Sequence, residues 1–375
     1  MRIAQVVPRG MKPWTGIFTV IVHLSAALAR RGHHTEVWQL GDWSADPYLD
    51  HRTYLMDAGV IQLPLAVDVP IWRLGRAVNA AVGERSIDVI HLHGAFNVWN
   101  TAISTRLRHP YVFSPHSGYD PVSLRRSRFR KVLYRFVFER SMLEGAALIV
   151  ALTEDEGDHI RAFGWKGSLA VIPNGAEPPV ANVDRLALRR DLEMKGEDHL
   201  VVFVGRLDVH RKGLDRLVRG VAAAPRWHLA LVGPRSRDVR RLEKMIDDFA
   251  IGDRVHFTGE RHGTALREAL AGGDVFGLLS RWEGLPIALL EALSYGTPAV
   301  VSPEVGKVVD VQRSGAGWVV SPPGLGALLV RLHAQTEELE AHRHPSRMLA
   351  ARYTWDAVGE AYEAAYEQML GPRQR

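Results

Sequence analysis

The chain contains no cysteine among its 375 residues, which excludes disulfides and every zinc site built on thiolates. No apolar run approaches the ~20 residues that a membrane-spanning helix needs. The N-terminus, MRIAQVVPRGMK, has too short an apolar stretch for a signal peptide. No G-x-G-x-x-G follows a strand pattern, which disfavours a nicotinamide dehydrogenase. Charge of one sign does not dominate either: 47 Lys and Arg against 42 Asp and Glu leave a formal +5. That balance permits an anionic partner without choosing one. A nucleic-acid partner is not expected, because no aromatic platform or known binding motif accompanies the basic residues.

What is present is ordinary in amount and regular in order. Hydrophobic residues make up 46% of the chain and charged residues 24%, as in globular proteins. The length suits about two domains at ~150 residues each. In the first half short apolar runs recur as RIAQVVP, TEVWQL, IDVIHLH, YVFSP, ALIVAL and LAVIP. In the second they recur as HLVVFVG, WHLALVG, RVHFTG, DVFGLLS, PAVVS and GWVV. Runs rich in Val, Ile and Leu on both faces read as buried parallel strands, and the helical stretches between them complete βαβ units. Two Rossmann-like domains are expected. The pattern breaks at Asn174, Gly175, Pro178 and Pro179, which places the boundary near residues 174–196. The domains are set at 1–180, joined by a returning helix over 354–370, and 181–353.

Three stretches carry chemistry. The first is RWEGLPIALLEALSYGTPAV, in which Glu283 and Glu291 are separated by seven residues. Gly284, Leu285 and Pro286 turn the chain into a helix that ends at Gly296, with Leu289, Leu290 and Leu293 on an apolar face. One carboxylate therefore lies before the helix and the other inside it. A helix N-terminus between them suits a phosphate, and carboxylates suit sugar hydroxyls. The second stretch is VFVGRLDVHRKGLDRLVRG. Here a strand ends in Gly205 and Arg206, and Lys212 precedes the next helix. An arginine fork and a lysine point charge suit a diphosphate. The third is the pair of strand ends IDVIHLHG and YVFSPHSGY. His91 and His93 share a strand face, but no third ligand accompanies them, so a metal site is not expected. His116 follows the next strand. The loop after the first strand brings Trp14, Thr15 and Gly16 to the start of a helix, where a glycine lets a phosphate or sugar approach the backbone.

The Glu283 and Glu291 run resembles the E-x(7)-E signature of the retaining glycosyltransferases of family 4, which have the GT-B fold. GRLDVHRKG, PHSGY, VIPNG and the N-terminal glycine loop extend the resemblance over nearly the whole chain. It implies an α/β protein of two Rossmann-like domains facing across a cleft, with the C-terminal helix crossing back to the first domain. It also implies a hexosyltransferase that uses a UDP- or GDP-linked sugar. In the family Glu283 would contact the donor sugar, Glu291 the nucleotide ribose, and Arg206 and Lys212 the pyrophosphate. Donor binding would also involve Gly16, Gly205, Gly284, Leu285 and Pro286. His116 would contact the sugar near its C6 hydroxyl, and His93 would line the cleft. Two departures stand out: a single glycine, Gly16, where the family usually carries two or more, and SPEVGKVVD, in which Glu304 arrives early.

No two aspartates are separated by one residue, so the Asp-x-Asp metal site of the other major transferase fold is missing. No metal and no cofactor are expected; fixed cations can stabilise a leaving diphosphate. The acceptor hydroxyl is expected in cell-envelope polysaccharide, glycolipid or secondary-metabolite glycoside synthesis, with a lipid-linked acceptor among the options, and the location in the cytoplasm or at the inner membrane face. Residues 124–144 hold Arg125, Arg126, Arg128, Arg130, Lys131, Arg135 and Arg140, with Phe129, Leu133, Phe136 and Leu143 at helical spacing. That helix reads first as a packed helix with a solvated basic face, and second as a contact for an anionic inner membrane surface. A non-catalytic sugar-binding protein, an epimerase or a pyridoxal-dependent phosphorylase, whose lysine would be Lys212, are the other classes open to this fold.

Overall fold

The computed structural model describes residues 1–13, 15–41, 49–65, 69–125 and 138–371. It divides into two compact units, Met1–Gly175 with Trp355–Arg375, and Ala176–Thr354.

The first unit is built on a seven-stranded sheet. Its strands are β1 (Arg2–Val7), β2 (His34–Gln39), β3 (Ile61–Pro64), β4 (Val89–His93), β5 (Tyr111–Ser114), β6 (Leu148–Ala151) and β7 (Leu169–Val171). They are parallel throughout and lie in the order β3-β2-β1-β4-β5-β6-β7. Six match the apolar runs of the sequence. β3 does not: it is a four-residue edge strand with both ends exposed and a proline at its end. Helices cover the sheet because its central strands are buried on both faces. The Gly16–Arg30 helix buries Phe18, Ile21, Leu24 and Leu28 at helical spacing, and Thr15 caps its first turn by accepting from the Phe18 N–H.

The Trp355–Leu370 helix also belongs to this unit. It buries Val358, Tyr362 and Tyr366, one turn apart, and packs on the Gly16–Arg30 helix. Arg31 and His33 pair with its Glu363. The crossing back expected of the C-terminal helix is thus present.

The second unit repeats the plan with six strands. These are β8 (His199–Val204), β9 (Trp227–Val232), β10 (Val255–Gly259), β11 (Val275–Leu278), β12 (Ala299–Val301) and β13 (Gly317–Val319). Their order is β10-β9-β8-β11-β12-β13, again all parallel. In each sheet the winding reverses once, between β1 and β4 and between β8 and β11. Loops leaving the carboxyl ends of the two strands at such a reversal diverge, and the crevice between them is where open α/β sheets bind ligands.

Residues 126–137, which hold most of the basic stretch, lie outside the described residues, as does Trp14. Among the described residues no helix is long and apolar enough to cross a membrane.

Candidate active site

In the second unit, both loops at the reversal carry charge. The loop after β8 runs from Gly205 through Arg206, Arg211 and Lys212 to Gly213, where the Leu214–Ala222 helix begins. The loop after β11 carries Ser280, Arg281, Trp282 and Glu283 before the Ile287–Ser294 helix. The two are stitched together. The Arg281 N–H donates to the Arg211 carbonyl at 2.9 Å, and Arg216 Nη1 donates to the Leu279 carbonyl at 3.0 Å. Arg281 also grips Asp215 with both guanidinium nitrogens, at 2.9 and 2.7 Å. Gly213 makes the close approach possible. It has a φ of +65°, and a Cβ there would lie 2.0 Å from the Leu279 carbonyl oxygen.

Lys212 and Glu283 meet inside this stitch. Lys212 Nζ donates to Glu283 Oε1 at 2.6 Å, and Ser280 Oγ donates to the same oxygen at 2.7 Å. The Glu283 side chain is only 4% exposed. Burial alone would push its carboxyl up, but the charges of Lys212 and Arg211 outweigh burial and hold it below the usual carboxylate range. Arg211 Nη2 stands 3.7 Å from Oε2, with its guanidinium 5.7 Å from the centre of the Trp282 ring. Oε1 therefore has both lone pairs engaged, while Oε2 accepts no hydrogen bond among the described residues.

The other predicted residues take distinct places. Arg206 is exposed at the end of β8, and its side chain makes no hydrogen bond among the described residues. Glu291 lies within the Ile287–Ser294 helix, partly exposed. Gly284 and Leu285 form the turn, Pro286 caps the helix, and Gly296 follows its end with a φ of +76°. Glu304, in the next short helix, lies 3.8 Å from Arg216.

In the first unit, the reversal between β1 and β4 carries a second polar group. Gln5 of β1 lies in register with His91 of β4, and His93 of β4 with Ser114 of β5. His93 Nδ1 lies 3.0 Å from His116 Nε2. Burial lowers His91 and His93 well below the ordinary imidazole range, and His116 to about 4, so all three are neutral near pH 7. His116 and Ser117 both have positive φ, +52° and +61°, in a tight turn after β5. Left-handed non-glycine residues cost ~1 kcal/mol or more each, so something must hold the turn. Glu156 does so. Its carboxyl accepts from the Ser117 N–H and, at 2.8 Å, from the Leu152 N–H. The close packing of Gly118 on Ala95 locks the turn from the other side, since a Cβ at Gly118 would meet Ala95 Cβ at 2.3 Å. Burial raises Glu156 to about 7. Gly16 opens the helix after β1, with its first turn already capped by Thr15.

Sequence reasoning singled out Lys212, Glu283, His93 and His116. It passed over Arg211, Ser280, Arg281 and Glu156. Glu156 did leave a signal: Thr153-Glu154-Asp155-Glu156 reads as a capping box, and Thr153 does accept from the Glu156 N–H at 3.1 Å. Here the glutamate reaches past its own helix cap to a neighbouring loop.

Comparisons with known proteins agree with this fold. Residues 184–347 match the family model of glycosyl transferases group 1, and residues 15–175 match that of the glycosyl transferase 4-like domain. A GDP-mannose:cellobiosyl-diphosphopolyprenol alpha-mannosyltransferase of Xanthomonas campestris is 26% identical over 298 residues, covering 76% of each chain. A lipopolysaccharide core biosynthesis glycosyltransferase, LpsD, of Rhizobium meliloti is 30% identical over 244 residues, 60% of this chain and 65% of that one. Among solved structures, Anabaena HepE in complex with UDP and glucose superposes with a TM-score of 0.79 at 19% identity, covering 97% of this chain and 99% of that one. The doubly wound sheets, the E-x(7)-E run and both family matches lead to one conclusion: the chain belongs to the family-4 glycosyltransferases and has the GT-B fold.

Proposed function

We propose that this enzyme is a retaining hexosyltransferase that takes its sugar from a UDP- or GDP-linked donor and passes it to a hydroxyl of a lipid-linked envelope acceptor. The observation that carries the reading is the Lys212–Glu283 pair, with Glu283 Oε2 still able to accept hydroxyls. One buried carboxylate is kept ionised by the cation beside it, so a sugar and a phosphate can be read by adjacent groups. Arg206, exposed and without a side-chain partner among the described residues, adds the second cation that a diphosphate calls for. Glu291 takes the ribose. The named chemistry of the relatives supports this choice: one uses GDP-mannose and a diphosphopolyprenol acceptor, and another holds UDP and glucose.

In this mechanism the bond between the anomeric carbon and the phosphate oxygen breaks, and the nucleoside diphosphate leaves with the electron pair. Arg206 and Lys212 stabilise that charge, so no metal is required. The acceptor oxygen attacks from the face the diphosphate leaves, and its proton passes to the departing phosphate. The anomeric configuration is retained.

The test is release of free nucleotide from a panel of UDP-, GDP- and ADP-sugars with a candidate lipid-linked acceptor and a chelator present. Turnover of one donor, insensitive to the chelator and lost in Glu291→Ala, is the expected result. Binding without turnover by any acceptor would turn the reading towards a sugar-nucleotide binding protein. Inversion in the product would overturn the retaining mechanism.

A further inference from the structure

Lys212 and Glu283 lie 71 residues apart, each in a loop outside the strands and helices, yet their charged atoms meet at 2.6 Å. Two arginines that the reaction scheme leaves unused cross between those loops. Arg281 leaves the loop after β11 and lands on the other one. Its N–H donates to the Arg211 carbonyl at 2.9 Å, and Nη1 donates to the His210 carbonyl at 2.6 Å. The same Nη1 reaches Asp215 Oδ1 at 2.9 Å, and Nη2 reaches Asp215 Oδ2 at 2.7 Å. Arg216, the residue after Asp215, crosses the opposite way. Its Nη1 donates to the Leu279 carbonyl at 3.0 Å and lies 3.5 Å from the Ser280 carbonyl, while Nη2 lies 3.8 Å from Glu304 Oε1. Ser302, just past β12, donates from Oγ to the Ser280 carbonyl at 2.7 Å.

These ties carry the reacting pair on both sides. Ser280 is fully buried, its carbonyl is held by Ser302 and Arg216, and its hydroxyl donates to Glu283 Oε1 at 2.7 Å. Lys212 follows Arg211 directly, and Arg281 fixes the Arg211 carbonyl. A guanidinium fork locks both distance and rotation, which a point charge cannot do. Asp215 stands in the first turn of the Leu214–Ala222 helix, where the helix dipole favours a carboxylate. Its side chain and that of Arg281 are 25% and 23% exposed. The pairing also disposes of charge. Without Asp215, Arg281 becomes a cation two residues from Glu283 that competes with Lys212. Without Arg281, Asp215 becomes an acid three residues from Lys212 that competes with Glu283. Each single loss therefore pulls the Lys212–Glu283 pair apart, and losing both charges together does not.

We propose that Arg281 and Asp215, crossed by Arg216, are positioning residues that set the separation of Lys212 and Glu283 and, through that pair, the rate of sugar transfer. The effect on rate rests on the transferase reading; the strap between the loops does not.

The test uses the full chain with Arg281→Lys, Asp215→Asn and the double variant Arg281→Gln with Asp215→Asn. Hydrogen–deuterium exchange read by mass spectrometry comes first. In Arg281→Lys, which keeps the charge and loses the fork, residues 206–213 and 279–286 should exchange faster together, while β8 and β11 exchange as in wild type. Unchanged exchange in both loops overturns the strap. With whichever donor the wild type turns over, each single variant should lose roughly tenfold or more in kcat, with KM for the donor within about threefold, because a displacement of about 1 Å is felt in the transition state. The double variant should return to within about threefold of the wild-type kcat, since the two losses share one interaction. A wild-type kcat in Arg281→Lys, or a double variant no better than the worse single one, overturns the positioning role. So does a loss confined to the melting temperature. If Asp215→Asn fails to fold, Arg281→Lys alone decides. Absence of turnover by the wild type with every donor would count against the transferase reading, while the exchange comparison would still decide the strap.

Discussion

Replacing Lys212 by Met keeps most of the side-chain volume and removes the cation beside a buried carboxylate. In the native protein Lys212 Nζ stands 2.6 Å from Glu283 Oε1, and the two side chains are 20% and 4% exposed. At an effective dielectric near 20, a charge pair at that distance has a gross attraction of about 6 kcal/mol. The desolvation of both groups offsets much of it. Losing one partner of a buried pair typically costs 3–5 kcal/mol, and Arg211 and Ser280 remain beside Glu283, so about 3 kcal/mol is expected. For a unit of this size that is a fall in melting temperature of roughly 6–12 °C. The pH dependence is more diagnostic than the size. The folded carboxyl sits below its ordinary value, so its contribution is present above the unfolded pKa, about 4.3, and is lost as pH falls through the folded value. Without Lys212, burial dominates and the carboxyl moves upward. The stability gap between wild type and Lys212→Met should therefore be widest near neutral pH and close as pH drops towards about 3. Thermal unfolding followed by circular dichroism from pH 7 to 3 measures it. A gap under ~1 kcal/mol, or one that is constant across that range, would refute the account of a charge-stabilised buried carboxylate.

Three further outcomes follow from other contacts. Gly213→Ala forces a Cβ to 2.0 Å from the Leu279 carbonyl at a positive φ, so the second unit should lose at least ~3 kcal/mol or fail to refold; a melting temperature within a degree of wild type would contradict it. Arg206→Ala should leave stability within ~0.5 kcal/mol, since its side chain is exposed, while turnover of the donor drops by roughly a hundredfold; equal losses in both would show a structural role instead. Glu156→Gln removes one of two accepted N–H bonds and should cost ~1–2 kcal/mol. Its folded value of about 7 lies above the unfolded one, so the native group holds its proton longer and stability declines as pH rises from about 4.5 to 7. The variant should lose that decline, which denaturant titrations at pH 5, 6, 7 and 8 would show.

The parts of the fold most visible in the sequence are those whose burial is two-sided. VVFVG, LALVG and VFGLLS are nearly unbroken apolar runs because both faces of their strands are covered, and each is a strand of the second sheet. Ile61–Pro64 escaped because an edge strand needs no such composition: its two middle residues are half-buried and its ends face water. In the site, Lys212 and Glu283 were legible because a cation before a helix and an acid in a glycine turn are local patterns. Arg281 with Asp215, and Glu156 with Ser117, were not, because these partners are 66 and 39 residues apart and meet only after the strands are ordered. The two strand histidines illustrate the same limit. Spacing placed them on one face, but only tertiary contacts reveal that their nitrogens bond Gln5, Ser114, Tyr366 and His116.

The membership of Trp355–Leu370 in the first unit has a consequence for biosynthesis. A ribosome delivers Met1–Gly175 before Ala176–Thr354, yet the first unit lacks its last helix until Trp355–Leu370 has also been made. Until Tyr362 and Tyr366 arrive, His91 lacks the two rings that pack against it and the Tyr366 hydroxyl beside its Nδ1. The second unit, made later, is contiguous and can finish earlier. Vectorial synthesis thus reverses the expected order: the half that emerges first matures last, and a chain cut short before Trp355–Leu370 would carry one finished unit and one open one.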